Sequence, residues 1–188
     1  AARRPMRWLL RGLTKTRRDR QTTLERLLAS YGNPDASRWS HAKYWLIHRF
    51  IDRMRGQTDI ATFREKLVEN KPTIRGVIIA ARSIAANGLT VPQRFSMPLF
   101  SVWNFTNRCN LTCKHCYQDS THAALEDELT LEEKLGVIDQ MGAAYMPMIA
   151  FSGGEPTIHP DLIPCVERAA SYGMHISIAT NGTTMTPK

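Results

Sequence analysis

Three cysteines fall within eight residues: Cys109, Cys113 and Cys116, in the stretch NRCNLTCKHC. Thiolates at that density select zinc or an iron–sulfur cluster. Structural zinc wants four closed ligands, usually as two close pairs, whereas this loop offers three; His115 or His122 would have to complete the set. An iron–sulfur cubane held by three cysteines has one iron without a protein ligand, and a substrate or cofactor can occupy that corner. The remaining cysteine, Cys165, lies in an expected helix and reads as a buried residue. Three clustered thiols and one isolated thiol make a poor disulfide framework and suit a reducing, cytoplasmic compartment.

The elements that must position this loop follow a strand–helix alternation. LFSVWNFT (99–106) is rich in aromatic and branched residues and runs into the cysteine loop. A helix follows, opened by Thr130 three residues before Glu133 as a capping box and closed at Gly142. MIAFS (148–152) is a second buried strand, Pro160 to Tyr172 a second helix, and HISIAT (175–180) a third strand. The order β-α-β-α-β implies a parallel α/β sheet with right-handed connections.

In such sheets ligands collect beyond the carboxyl ends of the strands. Here the three ends carry the cysteine loop, then Ser152-Gly153-Gly154-Glu155-Pro156, then Thr180-Asn181-Gly182-Thr183. Glycines let a backbone come close to a ligand, and Glu155 supplies a fixed negative charge for an ammonium group. Alone, a Gly-Gly-Glu is an ordinary strand-to-helix turn; its place in the same series as the cysteines is what gives it weight. His159-Pro160-Asp161 shapes a helix start, with Asp161 near its positive end.

C-x3-C-x2-C after a first strand, with Gly-Gly-Glu-Pro after the second, resembles the radical S-adenosylmethionine (radical SAM) superfamily over residues 97–188. The resemblance implies the first half of a partial (β/α)6 barrel. It also implies that Cys109, Cys113 and Cys116 ligate a [4Fe-4S] cluster whose open iron chelates S-adenosylmethionine. His115 would lie near the adenine, Gly153, Gly154 and Glu155 at the methionine ammonium, and Thr180 and Asn181 near the ribose or sulfonium. The implied chemistry is reductive cleavage to a 5′-deoxyadenosyl radical that abstracts hydrogen from an unidentified substrate, fed by an external one-electron reductant of flavodoxin or ferredoxin type. A non-catalytic zinc or iron–sulfur module, or a basic adaptor with an appended cluster domain, stays open beside it.

Residues 1–95 read as a basic helical region and linker, and 96–188 as the α/β region. Within the first, Thr22–Tyr31, Asp59–Glu69 and Pro72–Asn87 have helical signatures. RWSHAKYWLIHRFIDRM sets Trp39, Ala42, Leu46 and Phe50, joined by Ile47, Ile51 and Met54, as the apolar face of an amphipathic helix. Its His41 and His48 fall outside that stripe and read as surface residues. The net charge of +8 is concentrated between Arg3 and Arg20, where eight basic residues face only Asp19. Such an end suits nucleic acid, anionic lipid or an acidic partner, with a solvated tail the commoner explanation, since no RNA- or DNA-reading motif accompanies it. GVIIAARSIAANG (76–88) is too short to span a bilayer and carries Arg82. The opening AARRPM, the closing TTMTPK and a set of three strands where a full core has about six β-α units are expected of a fragment.

Overall fold

The computed structural model describes residues 4–19 and 21–186, so Arg3 and Arg20 of the basic segment lie outside the described residues. The chain divides into two units, Ala1–Met97 and Pro98–Lys188. Among the described residues no helix is long and apolar enough to cross a membrane.

The first unit is helical. The solvated tail expected for the basic segment is instead a helix over much of its length, α1 (Arg4–Thr14). One of its arginines, Arg7, reaches another helix end. α5 (Lys71–Asn87) finishes with carbonyls that lack helical partners. Arg7 donates to two of them, Nε to Ala85 O at 3.1 Å and a terminal nitrogen to Ala86 O at 2.5 Å. Arg82 returns the arrangement, donating to the Thr14 carbonyl at the end of α1 at 3.0 Å. A cation at a helix C-terminus is favoured by the dipole as well as by the hydrogen bond.

α2 (Thr23–Ser30) starts at a capping box between Thr22 and Glu25. It packs Leu27 and Leu28 against Tyr44, Ile47 and Ile51 of α3 (Arg38–Arg55). This reverses much of the expected α3 face: Trp39, Ala42, Leu46, Phe50 and Met54 are exposed. α3 is apolar around much of its circumference, so period alone does not choose the side that meets a neighbour. Polar locks choose it. Tyr31 donates its hydroxyl to Asp52 at 2.6 Å and accepts from Arg55 Nε at 3.0 Å. His48, expected at the surface, turns inward: its Nε2 is 3.2 Å from Ser30 Oγ, and its ring meets Tyr31 edge-on at 5.4 Å. His41 is half-buried, with Nε2 3.0 Å from Asn33 O. The helix expected at 59–69 is α-helical only over α4 (Ile60–Phe63), which Asp59 caps, and continues as a π-helix through Arg64–Glu69.

The second unit is α/β. β1 (Phe100–Thr106), β2 (Met148–Gly153) and β3 (His175–Ile178) form a parallel sheet in the order β1-β2-β3. α6 (Leu131–Ala143) and α7 (Leu162–Ser171) form the crossovers. The expected capping box opens α6: Thr130 Oγ1 accepts from the Glu133 amide, and Glu133 accepts the Thr130 amide at 2.8 Å. Alternation in the strands sends Phe105, Ile149, Phe151 and Ile176 toward Ile138 of α6 and Leu162, Cys165 and Ala169 of α7. Full burial of an Ile or Phe side chain contributes about 1.5–3 kcal/mol, so this layer fixes the strand register. That register sets Phe100 beside Met148 and Met148 beside His175, which levels the three strand ends that follow.

Cys165 is wholly buried in this layer, and burial pushes its thiol up to about 11. A disulfide exchange reagent such as Ellman's should therefore titrate three thiols in the native chain and the fourth only after denaturation. Four fast thiols would show that the α7 core face is open.

Candidate functional site

The cysteine loop leaves β1 and is closed by backbone bonds at its base. The Cys109 amide donates to Thr121 O at 2.7 Å and the Thr121 amide to Asn107 O at 3.2 Å. Within it, the Cys116 amide donates to Cys113 O at 3.1 Å. Cys113 is exposed; Cys109 and Cys116 are partly covered. N–H groups point at two of the sulfurs. The Leu111 amide is 3.4 Å from Cys109 Sγ and Asn181 Nδ2 is 4.0 Å from it. Cys116 is held below the usual thiol range, first by the Ser120 backbone, then by the Gln118 backbone and the Ser120 side chain. Asp119 lies between these two residues in the left-handed region at φ 49°. Ser120 Oγ is nonetheless buried without a hydrogen-bond partner of good geometry.

The glycines after β2 serve a close approach, but to main chain. The Gly154 amide donates to Thr106 O at 2.8 Å and the Glu155 amide to Arg108 O at 2.9 Å, clamping β2's exit onto the base of the cysteine loop. Gly153 has φ 113°, a region few side chains tolerate, and a Cβ there would press on Thr106 O. A Cβ at Gly154 would press on the Arg108 carbonyl and sit 2.9 Å from Asn107 O. Gly154→Ala must push backbone against backbone, and we expect it to destabilise the α/β unit by about 1–3 kcal/mol in urea unfolding followed by circular dichroism. An unchanged midpoint would count against this clamp.

Glu155 is fully buried. Its Oε1 accepts from the Thr157 amide at 3.0 Å, the Thr157 hydroxyl at 2.5 Å and the Thr180 hydroxyl at 2.8 Å, while Oε2 accepts from the Asn181 amide at 2.7 Å. Burial works to raise its pKa, but the Thr157 hydroxyl, the Asn181 and Thr157 amides and the Thr180 hydroxyl together hold it below the ordinary carboxyl value. The third strand end is thereby tied to the second. It is tied to the first as well: Asn181 Nδ2 donates to Asn110 Oδ1 at 2.8 Å, and Asn110 Nδ2 to Thr183 Oγ1 at 2.7 Å.

Of the residues singled out from sequence, Cys109, Glu155, Thr180 and Asn181 therefore meet through hydrogen bonds, Gly153 and Gly154 hold the backbone beneath them, and His115 is exposed. His122 points Nδ1 at Cys109 O, 3.0 Å away. Among the described residues no three His, Cys, Asp or Glu side chains converge closely enough to hold a single metal ion.

Sequence reasoning missed Glu128. Its Oε1 accepts from the Thr106 hydroxyl at 2.8 Å and the Asn107 amide at 2.9 Å, directly before the cysteine loop, and its Oε2 is 3.5 Å from His159 Nε2. Behind it Lys134, 2% exposed, pairs with Asp161 at 3.0 Å and lies over the Phe105 ring at 4.7 Å. Asp161 is thus a salt-bridge partner rather than a side-chain cap for α7, while the Asp161 amide donates to His159 Nδ1 at 3.1 Å. Tyr117 shares a 2.9 Å hydrogen bond with Ser152. Apart from the local His159–Asp161 bond, these contacts have no sequence signature, because each joins residues that only the tertiary fold brings together.

Residues 103–188 match the family model described as Radical SAM superfamily. This segment belongs to that superfamily. The three-stranded parallel sheet and its helices are consistent with part of a radical SAM (β/α) barrel. Similar curated proteins include the Fe-coproporphyrin III synthase of Methanosarcina barkeri, 46% identical over 82 residues, or 44% of this chain and 21% of the relative. The pre-heme d1 synthase of Dinoroseobacter shibae is 38% identical over 82 residues, 44% of this chain and 20% of the relative. The mycofactocin maturase MftC of Mycobacterium tuberculosis is 31% identical over 91 residues, 48% of this chain and 23% of the relative. The chain thus spans about a fifth to a quarter of the length of these relatives.

Proposed function

We propose that this chain is part of a radical SAM enzyme in which Cys109, Cys113 and Cys116 hold a [4Fe-4S] cluster and the three joined strand ends cradle S-adenosylmethionine. When bound, the cluster supplies the electron for reductive cleavage of the cofactor's carbon–sulfur bond, which starts hydrogen abstraction from a substrate. The chain's own part is to present thiolates, orient them and steady the floor beneath. Backbone N–H groups beside Cys116 favour its thiolate form, and N–H donors facing Cys109 and Cys116 would tune a bound cluster, as outer-shell donors do at metal sites. The buried Ser120 hydroxyl, one of the groups that hold the Cys116 thiol down, is a donor available to a sulfur-rich ligand. His115 is exposed at the loop's edge, free to turn toward an adenine. The Glu155 carboxylate acts on the cofactor's ammonium end through Thr180 and Asn181, whose positions it holds.

The observation that carries this reading is the convergence of the cysteine loop, Glu155 and Asn181 in one hydrogen-bonded group at the carboxyl ends of three parallel strands. Relatives named for heme synthesis and for mycofactocin maturation leave the substrate open. The test is anaerobic reconstitution with iron and sulfide, reduction, and electron paramagnetic resonance with and without S-adenosylmethionine. A [4Fe-4S]⁺ signal that shifts on adding the cofactor is expected. A colourless protein that takes up zinc, or a cluster indifferent to the cofactor, would replace this reading with a non-catalytic metal module.

A further inference from the structure

Beside its packed face, α3 carries Trp39, Leu46, Phe50 and Met54 at 74, 75, 61 and 71% exposure. Spaced at helical intervals, the four share one stripe, while Tyr44, Ile47 and Ile51 occupy the adjoining flank against α2. Lys43 and Arg53 interleave the stripe, Arg38 and Arg49 edge it, and all four are exposed. The helix has a single acid, Asp52, which is turned to Tyr31 and Arg55. The open surface of α3 is therefore apolar along its middle and purely cationic around it.

We infer that this face of α3 lies on an anionic membrane surface. A helix with aromatic and aliphatic side chains on one stripe and Lys/Arg beside it rests in the interfacial plane, its apolar row in the acyl boundary and its cations among the headgroups. Charge complementarity singles out this occupant. A second copy of α3 would set Lys43, Arg49 and Arg53 against their own kind. A nucleic acid would satisfy the cations and leave Leu46, Phe50 and Met54 facing phosphates. The stripe covers one side only, so the helix lies on the bilayer rather than crossing it. The inference is independent of the cluster chemistry.

The experiment mixes the whole chain with vesicles of phosphatidylcholine alone or with equimolar phosphatidylglycerol, and follows cosedimentation and tryptophan emission. Cosedimentation with anionic vesicles and a blue shift from Trp39 are expected. Leu46→Glu with Phe50→Glu should weaken partitioning by about tenfold or more, and Lys43→Glu with Arg53→Glu should weaken it on anionic vesicles alone. Both pairs are surface positions, so an unchanged circular dichroism spectrum separates lost binding from lost fold. Failure of the parent chain to bind anionic vesicles at low salt overturns the inference. So does a dimer that the Leu46→Glu, Phe50→Glu pair dissolves, or binding to an oligonucleotide that this pair leaves intact.

Discussion

Cys113→Ala is expected to leave the chain folded and to reduce bound iron after reconstitution to background. The side chain is exposed, and the backbone bond at this position, Cys116 N–H to Cys113 O, does not involve the sulfur. Removing it should therefore change unfolding free energy by no more than about 0.5 kcal/mol. For a set of three thiolates, however, the loss is one ligand of three. Cys165→Ala should behave in the opposite way: truncating a fully buried core residue costs about 1–3 kcal/mol, while iron uptake stays at the parent level. Iron analysis and urea unfolding on the same two preparations check both halves. A Cys113→Ala protein that still assembles a stoichiometric cluster would remove the loop from the metal site, and with it the proposed activity.

Glu155→Ala is expected to destabilise the α/β unit by about 3–5 kcal/mol. The carboxylate accepts four hydrogen bonds with no exposure to solvent, and its removal leaves the Thr157 and Asn181 amides without their partner in a buried setting. Removing one side of a buried charged network has that order of cost. Glu155→Gln should lose less, because it keeps the volume and one acceptor oxygen. The same carboxylate makes stability depend on pH. Its folded pKa lies below the ordinary 4.5, so its contribution is complete above 4.5 and disappears as pH falls through the lower folded value. Urea midpoints measured from pH 7 downward should fall more steeply in the parent than in Glu155→Gln. Parallel curves, or a Glu155→Ala cost under about 1 kcal/mol, would show that the joint between the second and third strand ends carries little of the fold.

Much of this protein was readable locally. The strands, the α6 capping box, the end of α5 at Asn87 and the cysteine spacing are all properties of residues within a turn or two of one another. Propensity, caps and ligand spacing act at that range, so the order of elements and the cysteine pattern could be read before any packing was known. The segment 4–14 was an exception, because its charge suggested a solvated tail while its Arg7 caps a helix far away in sequence.

Tertiary structure decided which surfaces and partners those elements use. The α3 period admits two apolar faces, and α2 with the Tyr31–Asp52–Arg55 contacts selected the one centred on Tyr44. The Gly-Gly-Glu glycines were read as letting backbone approach a ligand; what packing adds is their close approach to the backbone at Thr106 and Arg108. Glu155 was expected to supply a fixed negative charge, and its carboxylate also joins two strand ends. Glu128 and Lys134 gave no signal at all, yet they brace the base of the cysteine loop and the start of α7. In each case the deciding hydrogen bond joins residues that strand pairing or helix packing brings together. Its energy depends on a geometry that no stretch of a few residues contains.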